Sequence, residues 1–311
     1  MIGYPVLSKR SGASRRIVLH ASAKVNLVLE VLGKREDGYH ELATVMQAVD
    51  LFDRLALEDS DAIELRTSDS IPTDRTNLAV RAAEALGRAA GVDRGVRIRL
   101  DKRIPVAAGL GGGSTDAAAV LVGLNRLWKL RWPVRKLADV AVEIGMDVPF
   151  FLCGGPALGT GRGELLEPID GMSLALVLVN PGFPVPTAEA YRAVTSASYT
   201  DGRRARTVAE ALARGRRASV ARDLYNALEA AITPTHPEIA RIKAALVAAG
   251  ALGASMSGSG ATVIGVARSM DHARQIQARV TKGTWSAWAV RSLRGPAVRI
   301  RSADNWGVAK R

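Results

Sequence analysis

Four glycines fall within five residues in the stretch PVAAGLGGGSTD, Pro105–Asp116, and that density has a chemical use. The backbone N–H groups of Gly109, Gly111, Gly112 and Gly113 have no side chains over them and are free to point into one concavity. The alanine-rich run that follows reads as a helix, whose unsatisfied amides and positive dipole end would add to the same concavity. Together these make a phosphate cradle, set against the plainer reading of a flexible turn capped by Ser114. It is not a Walker loop, because no Lys-Ser or Lys-Thr pair follows the glycines. Nor is it a dinucleotide fingerprint, because Ser114 stands where the third glycine is required. A second cluster, SMSGSGA (Ser255–Ala261), reads either as a tight connection between strands or as a second wall gripping a multiply phosphorylated ligand.

Two further groups carry charge where it could act. In SAKVNL, Lys24 and Asn26 interrupt an apolar strand pattern two residues apart, hence on one face. Such a lysine is a solvated edge residue, or, beside a phosphate cradle, a cation that neutralises a transferring group. In GMDVPF, Asp147 follows a helix-ending glycine among Met146, Val148, Pro149 and Phe150. By local sequence it is a turn or cap residue.

Elements must hold these groups in place. Ile17–Gly33 reads as strand, short turn, strand, and KREDGYHEL as a loop. Asp74–Gly91 has apolar residues at helical spacing, with Asp74 or Thr76 as N-cap and Gly91 past its end. Val96, Ile98 and Leu100 alternate with charges as in a half-buried strand. The helix after the glycines is expected to be capped by Ser114, Thr115 or Asp116, and a further helix runs from Pro133 to Gly145. MDVPFFLCGGPALGTGRGE reads as loop and strand, SLALVLVN as a buried strand, and the composition shifts near Asp170–Gly171, the candidate domain boundary. Beyond it come helical material over 187–232, a helix at 237–250, strands at 251–255 and 261–267, a helix at 269–282 and a strand at 285–293. Alternating helices and short strands indicate α+β or α/β layering, which periodicity does not separate.

The 311 residues suffice for two domains with a large core. The single Cys153 excludes an internal disulfide and a multi-cysteine metal cage, and points to a reducing, cytoplasmic setting. No run reaches the roughly 18–20 apolar residues of a membrane span, and the N-terminus lacks a secretory h-region. The formal charge of +13 invites a nucleic-acid reading, but residues 1–16 carry +4, 203–223 carry +5 and 288–311 carry +5, which leaves about −1 for the rest. Those segments lack interleaved aromatics apart from Trp288 and Trp306.

In order along the chain, SAKVNL, PVAAGLGGGS and SGSGA resemble the three motifs of the GHMP small-molecule kinase superfamily. AKVNLVLEVLGKREDGYHEL (23–42), GLGGGSTDAAAVL (109–121), GMDVPFFLCGGPALGTGRGE (145–164) and NPGFPVPT (180–187) resemble, more narrowly, its branch acting on a cytidine diphosphate substrate. The resemblance spans roughly Ile17 to Leu293. It implies a two-lobed α+β fold: an N-terminal lobe (17–170) with the phosphate loop, a ferredoxin-like C-terminal lobe (171–294), and the active site in the cleft between. Residues 1–16 and 295–311 would then be basic extensions.

The activity it implies is transfer of the γ-phosphoryl of ATP to the 2-hydroxyl of a cytidine diphosphate methylerythritol, for isoprenoid synthesis. A mevalonate-pathway or homoserine kinase is the alternative, and a nucleic-acid-binding protein a weaker one. Asp147 matches the family's catalytic base and Lys24 the lysine paired with it. Asn26, Tyr39, His40, Thr187 and Tyr191 match the substrate site, the cytosine lying between Tyr39 and Tyr191 and read by His40. Asn77, Leu78 and Lys102 match the surroundings of adenine. Pro105, Gly109, Leu110, Gly111, Gly112, Gly113, Ser114 and Thr115, with Gly258 and Ser259, match the ATP site. Mg²⁺ is expected as the counter-ion of ATP with no protein ligand named. No nucleic-acid or membrane partner is implied, and the molecule would act as a monomer or weak homodimer.

Overall fold

A computed structural model describes residues 16–281 and 283–301. The segment 1–15 and the end of the tail, 302–311 with Trp306, lie outside the described residues. In chain order the elements are β1 (Arg16–Lys34), β2 (His40–Ser60), β3 (Ile63–Thr67), α1 (Leu78–Ala90), β4 (Gly95–Asp101), α2 (Gly112–Leu127), α3 (Val134–Ile144), α4 (Val148–Cys153), β5 (Pro156–Thr160) and β6 (Leu165–Pro168). Then follow β7 (Ala175–Asn180), α5 (Thr187–Arg192), α6 (Arg203–Ala213), α7 (Arg217–Arg222), β8 (Tyr225–Asn226), α8 (Ala227–Ile232), α9 (Glu238–Ala248), β9 (Ala254–Met256), β10 (Val263–Ala267), α10 (Met270–Val280), β11 (Ser286–Arg291) and β12 (Val298–Arg301).

Two sheets organise the chain. The first runs β12-β1-β2-β4-β3, with β5 beside β2 and β8 beside β1. Helices α1 to α4 bury Leu86, Leu121, Leu124, Phe150 and Phe151 against Leu19, Leu55, Leu57 and Ile98 on one face of it. The second is antiparallel in the order β11-β7-β10-β9, the ferredoxin-like arrangement expected of the C-terminal half. One of its faces packs Val177, Val179 and Val263 against Ile239, Ile242 and Ile276 of α9 and α10. Its other face packs Leu176, Leu178, Ile264 and Val266 against Val25, Leu27 and Val45 of the long strands. The two halves therefore share an apolar core, which sets how the cleft walls face each other. Among the described residues no helix is long and apolar enough to cross a membrane.

Several local expectations are corrected. β1 is one 19-residue strand, not strand, turn, strand. Its polar residues are absorbed by register shifts against β2 between Ser22 and Lys24 and between Asn26 and Val28, so the strand bulges without turning. The N-cap of α1 is Asn77, whose Oδ1 accepts from the Ala79 amide at 2.9 Å, while Asp74 closes a turn onto Thr76. Helix α2 starts at Gly112 behind a left-handed Gly111 (φ 68°), so Ser114, Thr115 and Asp116 lie inside it and none caps it. Val148–Cys153 is a short helix where loop and strand were expected, because Pro149 suits a first turn and Phe150 and Phe151 are core residues. Val298–Arg301, expected within a tail, pairs with Val18–Ala21 and closes the sheet edge.

Candidate active site

A cleft of about 1090 Å³ opens between the two halves, and Lys24 and Asp147 meet on its wall. The first bulge of β1 turns Lys24 inward, where it is only 4% exposed. Its Nζ donates to Asn26 Oδ1 at 2.7 Å and pairs with Asp147 Oδ2 at 3.2 Å. Asn26 Nδ2 donates to Thr44 Oγ1 (2.8 Å), and Thr44 donates to the Val28 carbonyl (2.7 Å). This chain fixes the Asn26 amide and, through it, the ammonium. Asp147, at the start of α4, is the exposed end of the chain. A buried cation thus pairs with a solvent-facing carboxylate, a group chemically able to accept a proton.

The two glycine clusters come together beside that pair. A Cβ placed on Gly109, which has φ +74°, would sit 2.0 Å from the Ser257 carbonyl oxygen, and one on Gly258 would sit 2.9 Å from the Gly109 oxygen. Ser257 Oγ donates to Gly109 O (2.9 Å) and accepts from the Asn26 amide (3.1 Å). Gly111 has no more room: its Cβ would meet the Phe151 ring at 2.7 Å and Lys24 Cγ at 3.1 Å. Thr187 and Ser259 join their hydroxyls across the mouth at 3.2 Å. Pro105, Gly109, Gly111, Gly112, Gly113, Ser114, Gly258 and Ser259 all border the cleft. Leu110 and Thr115 do not, because both side chains are buried and the Leu110 carbonyl accepts from the Lys24 amide.

Asn77, Leu78 and Lys102 border the other end of the cleft. Lys102 differs from expectation in where its charge sits. Its Nζ lies between Asp53 Oδ2 (2.5 Å) and Asp116 Oδ2 (2.8 Å) beneath the glycine loop, with the side chain 7% exposed. Asp53 Oδ1 also accepts from the amides of Arg103 and Ile104. The triad therefore fastens β2, the end of β4 and the first turns of α2 to one another. Burial pushes the Asp116 carboxyl up to about 8 despite the Lys102 ammonium.

Unfolded, this carboxyl ionises near its ordinary 3.8. The folded state therefore keeps its proton through the window between, and this group's stabilising contribution falls as pH rises from about 4 to about 8. Asp116→Asn removes that dependence. The melting temperature of the variant minus that of the wild type is expected to rise from pH 6 to about 8 and to level off above it, and a flat difference in thermal melts from pH 6 to 9 would contradict it.

At the opposite end His40 stacks on Tyr191, with ring centroids 5.5 Å apart, and meets Tyr199 edge-on at 6.5 Å. Tyr39 is 55% exposed, with the Arg162 guanidinium over its ring at 5.1 Å. Burial, with Lys34 nearby, pushes the His40 imidazole below its ordinary value, so it is neutral at pH 7 and offers one donor and one acceptor. Burial and Asp147 push the Tyr191 phenol up, keeping it protonated. Asp53, Asp116, Thr44, Ser257, Arg162 and Tyr199 were not anticipated. Ser257 had a signal in the Ser255–Ala261 cluster and Arg162 in standing between two glycines, Asp116 was read only as a helix cap, and the others had none.

Two lobes joined at a glycine-lined cleft, with an anion cradle facing a lysine-aspartate pair, define a small-molecule kinase of the GHMP type. The profile described as GHMP kinases N terminal domain matches residues 77–155, and GHMP kinases C terminal matches 208–286. A protein of Pelotomaculum thermopropionicum named 4-diphosphocytidyl-2-C-methyl-D-erythritol kinase is 49% identical over 263 residues, 83% of this chain and 92% of its own. One of the same name from Symbiobacterium thermophilum is 47% identical over 279 residues, 88% of this chain and 99% of its own. A crystal structure of 4-(cytidine 5'-diphospho)-2C-methyl-D-erythritol kinase superposes with a TM-score of 0.77 at 40% identity, covering 88% of this chain and 98% of that one. The homoserine kinase of Cytophaga hutchinsonii superposes with a TM-score of 0.75 at 20% identity, covering 97% of this chain and all of that one, and shares the fold alone. The chain belongs to the GHMP kinases and, within them, to the 4-diphosphocytidyl-2-C-methyl-D-erythritol kinase family.

Proposed function

We propose that this chain transfers the γ-phosphoryl group of ATP to the 2-hydroxyl of 4-diphosphocytidyl-2-C-methyl-D-erythritol, giving its 2-phosphate, in the non-mevalonate isoprenoid pathway of the cytoplasm. The observation that carries the reading is the Lys24–Asp147 pair beside the glycine cradle. The Asp147 carboxylate takes the proton of the 2-hydroxyl as that oxygen bonds to the γ-phosphorus. The bond to the β,γ-bridging oxygen breaks, and ADP leaves with its electron pair. Little else is asked of the protein than positioning and charge stabilisation. An ammonium has three donors and Lys24 uses two, on Asn26 and Asp147, so the third serves the transferring group.

The polyphosphate lies on the amides of Gly109–Ser114 and the amino end of α2, with Gly258, Ser259 and Thr187 closing over it. Adenine lies toward Asn77 and Leu78, and Lys102 positions the loop through Asp53 and Asp116. Among the described residues no group of three or more His, Cys, Asp or Glu is gathered that could cage an ion. Mg²⁺ bound to the ATP phosphates would supply neutralisation of charge on the transferring group. Cytosine stacks by the tyrosines, and the neutral His40 reads its edge. Because Tyr191 already lies against His40, the base enters beside that stack, toward Tyr39 and Arg162.

Tyr191→Ala, which removes the ring that His40 lies against, is expected to raise KM for the cytidine substrate about fivefold to a hundredfold, the scale of one aromatic stacking contact, with KM for ATP unmoved. Equal rises in both would contradict that placement. The reading as a whole is tested by ATP-dependent turnover of the purified protein on the cytidine diphosphate substrate, mevalonate and homoserine. Turnover on the first alone is expected, and preference for either of the others would overturn it.

A further inference from the structure

Counted by segment, the body of the chain is almost neutral, but strand alternation sorts its charges onto one surface. On the first sheet the face away from α1 to α3 carries the even-numbered residues of β1 up to Ser22, of β2 from Phe52 and of β3, and the odd-numbered ones of β4 and β12. Its outermost cross-strand row is Arg16, Glu58, Arg97, Glu64, with signs alternating and ion pairs at 3.5 Å and 3.2 Å. That is what a solvated sheet face looks like. The next rows differ. One reads Arg301, Val18, Ala56, Arg99, Arg66, with Arg99 and Arg66 directly paired in register. The other reads Arg299, His20, Arg54, Asp101, and Arg103 follows at its end. Six arginines thus face a single acid in the two rows, Asp101, which pairs with Arg103, while Arg66 pairs with Glu64 of the outer row. Among the described residues Arg99, Arg299 and Arg301 have no carboxylate partner.

Like charges opposite one another on a sheet are destabilising, so this crowding has a cost that a bound polyanion would remove. Its field is visible at His20, which burial together with Arg301, Arg54, Arg103 and Arg299 holds at about 4. The His20 ring lies flat on Phe52, with centroids 4.1 Å apart and 14° between planes, in the midst of the arginines.

We propose that this face, across β12, β1, β2, β4 and β3, binds single-stranded nucleic acid. Guanidinium groups pair with phosphates bidentately and stack on bases, which lysines do not. The His20–Phe52 stack supplies the flat aromatic surface on which an unpaired base sits. A duplex fits less well, because the face presents no helix or ribbon to enter a groove. A lipid surface fits less well too, because no exposed large apolar side chain among the described residues stands on this face. The cleft opens from the later halves of β1 and β2, so both ligands can be held at once.

The test is fluorescence anisotropy of a labelled mixed-sequence RNA of about 20 nucleotides with the full chain, titrated at about 50–200 mM salt. Expected is binding that weakens with salt. In Arg99→Glu/Arg299→Glu/Arg301→Glu it should weaken at least about tenfold, with the log–log salt slope shallower by about 2 and kinase turnover unchanged. Should that variant lose turnover, Arg99→Gln/Arg301→Gln, both at exposed positions, carries the test. Absent binding by the wild type overturns the proposal, as does unchanged RNA affinity in the variants, which would assign binding to the other basic segments. Equal competition by duplex, or binding to phosphatidylglycerol vesicles without binding to RNA, overturns it as well.

Discussion

Asp147→Asn is expected to lower kcat by about 10²–10⁴-fold, the usual contribution of a positioned general base, while KM for ATP and for the cytidine substrate hardly moves. The substitution keeps the size and planarity of the side chain and removes its negative charge, and with it the capacity to take a proton and the ion pair with Lys24. Lys24 remains fixed by Asn26, and the chain through Thr44 to the Val28 carbonyl is untouched. The amides assigned to the polyphosphate are elsewhere, on the glycine loop. Steady-state kinetics separates the cases: a fall in kcat with KM constant marks an interaction made in the transition state. If turnover stayed near wild type, the proton would be leaving by another route.

Gly109→Ala is expected to be the most damaging single-atom-scale change in the cradle. Left-handed backbone alone costs a non-glycine residue roughly 1–2 kcal/mol, and at φ +74° the new Cβ would stand 2.0 Å from a backbone oxygen, that of Ser257. A flexible side chain could step aside, but the Ser257 backbone is tied to Gly260 and Thr262 and its hydroxyl to Gly109 and Asn26. The glycine loop and the Ser257–Gly260 loop must therefore part. Expected together are a lower melting temperature and a KM for ATP raised at least about tenfold, from the loss of more than 1.4 kcal/mol of binding. Thermal melts with and without ATP check it, and an unchanged ATP-induced stabilisation would contradict it. Gly113→Ala is the internal control, since a Cβ there meets only the Leu78 side chain, no nearer than 3.5 Å, ordinary contact.

Much of the candidate site was legible because its residues stand in short, contiguous stretches. The glycine cradle, the Lys24–Asn26 step and the Ser-Gly cluster each announce themselves by a residue type that has few other uses. The long strands were harder. β2 shows no alternation from Ala43 to Val49 because it is buried on both faces, by helices on one and by the second sheet on the other. β1 reads as two strands because Ser22, Lys24 and Asn26 interrupt its apolar run, whereas bulges and the pairing of a buried Lys24 with Asn26 and Asp147 accommodate them.

The Lys102 triad was out of reach for a different reason. Asp53 lies 49 positions from its partner, and nothing local distinguishes it from any other strand carboxylate. The same holds for Tyr199, brought to His40 from the far side of the second sheet's first crossover. Segment charge misled in its own way, since summing along the chain averages away an asymmetry that alternation places across a sheet.

The central claim is the identity of the bond made, and the direct measurement is ³¹P and ¹³C NMR of the product formed from ATP and the cytidine diphosphate substrate. A new phosphomonoester coupled to carbon 2 of the methylerythritol unit, equimolar with ADP, is the result predicted. ADP formed without a new ester, or an ester on any other hydroxyl, would contradict it.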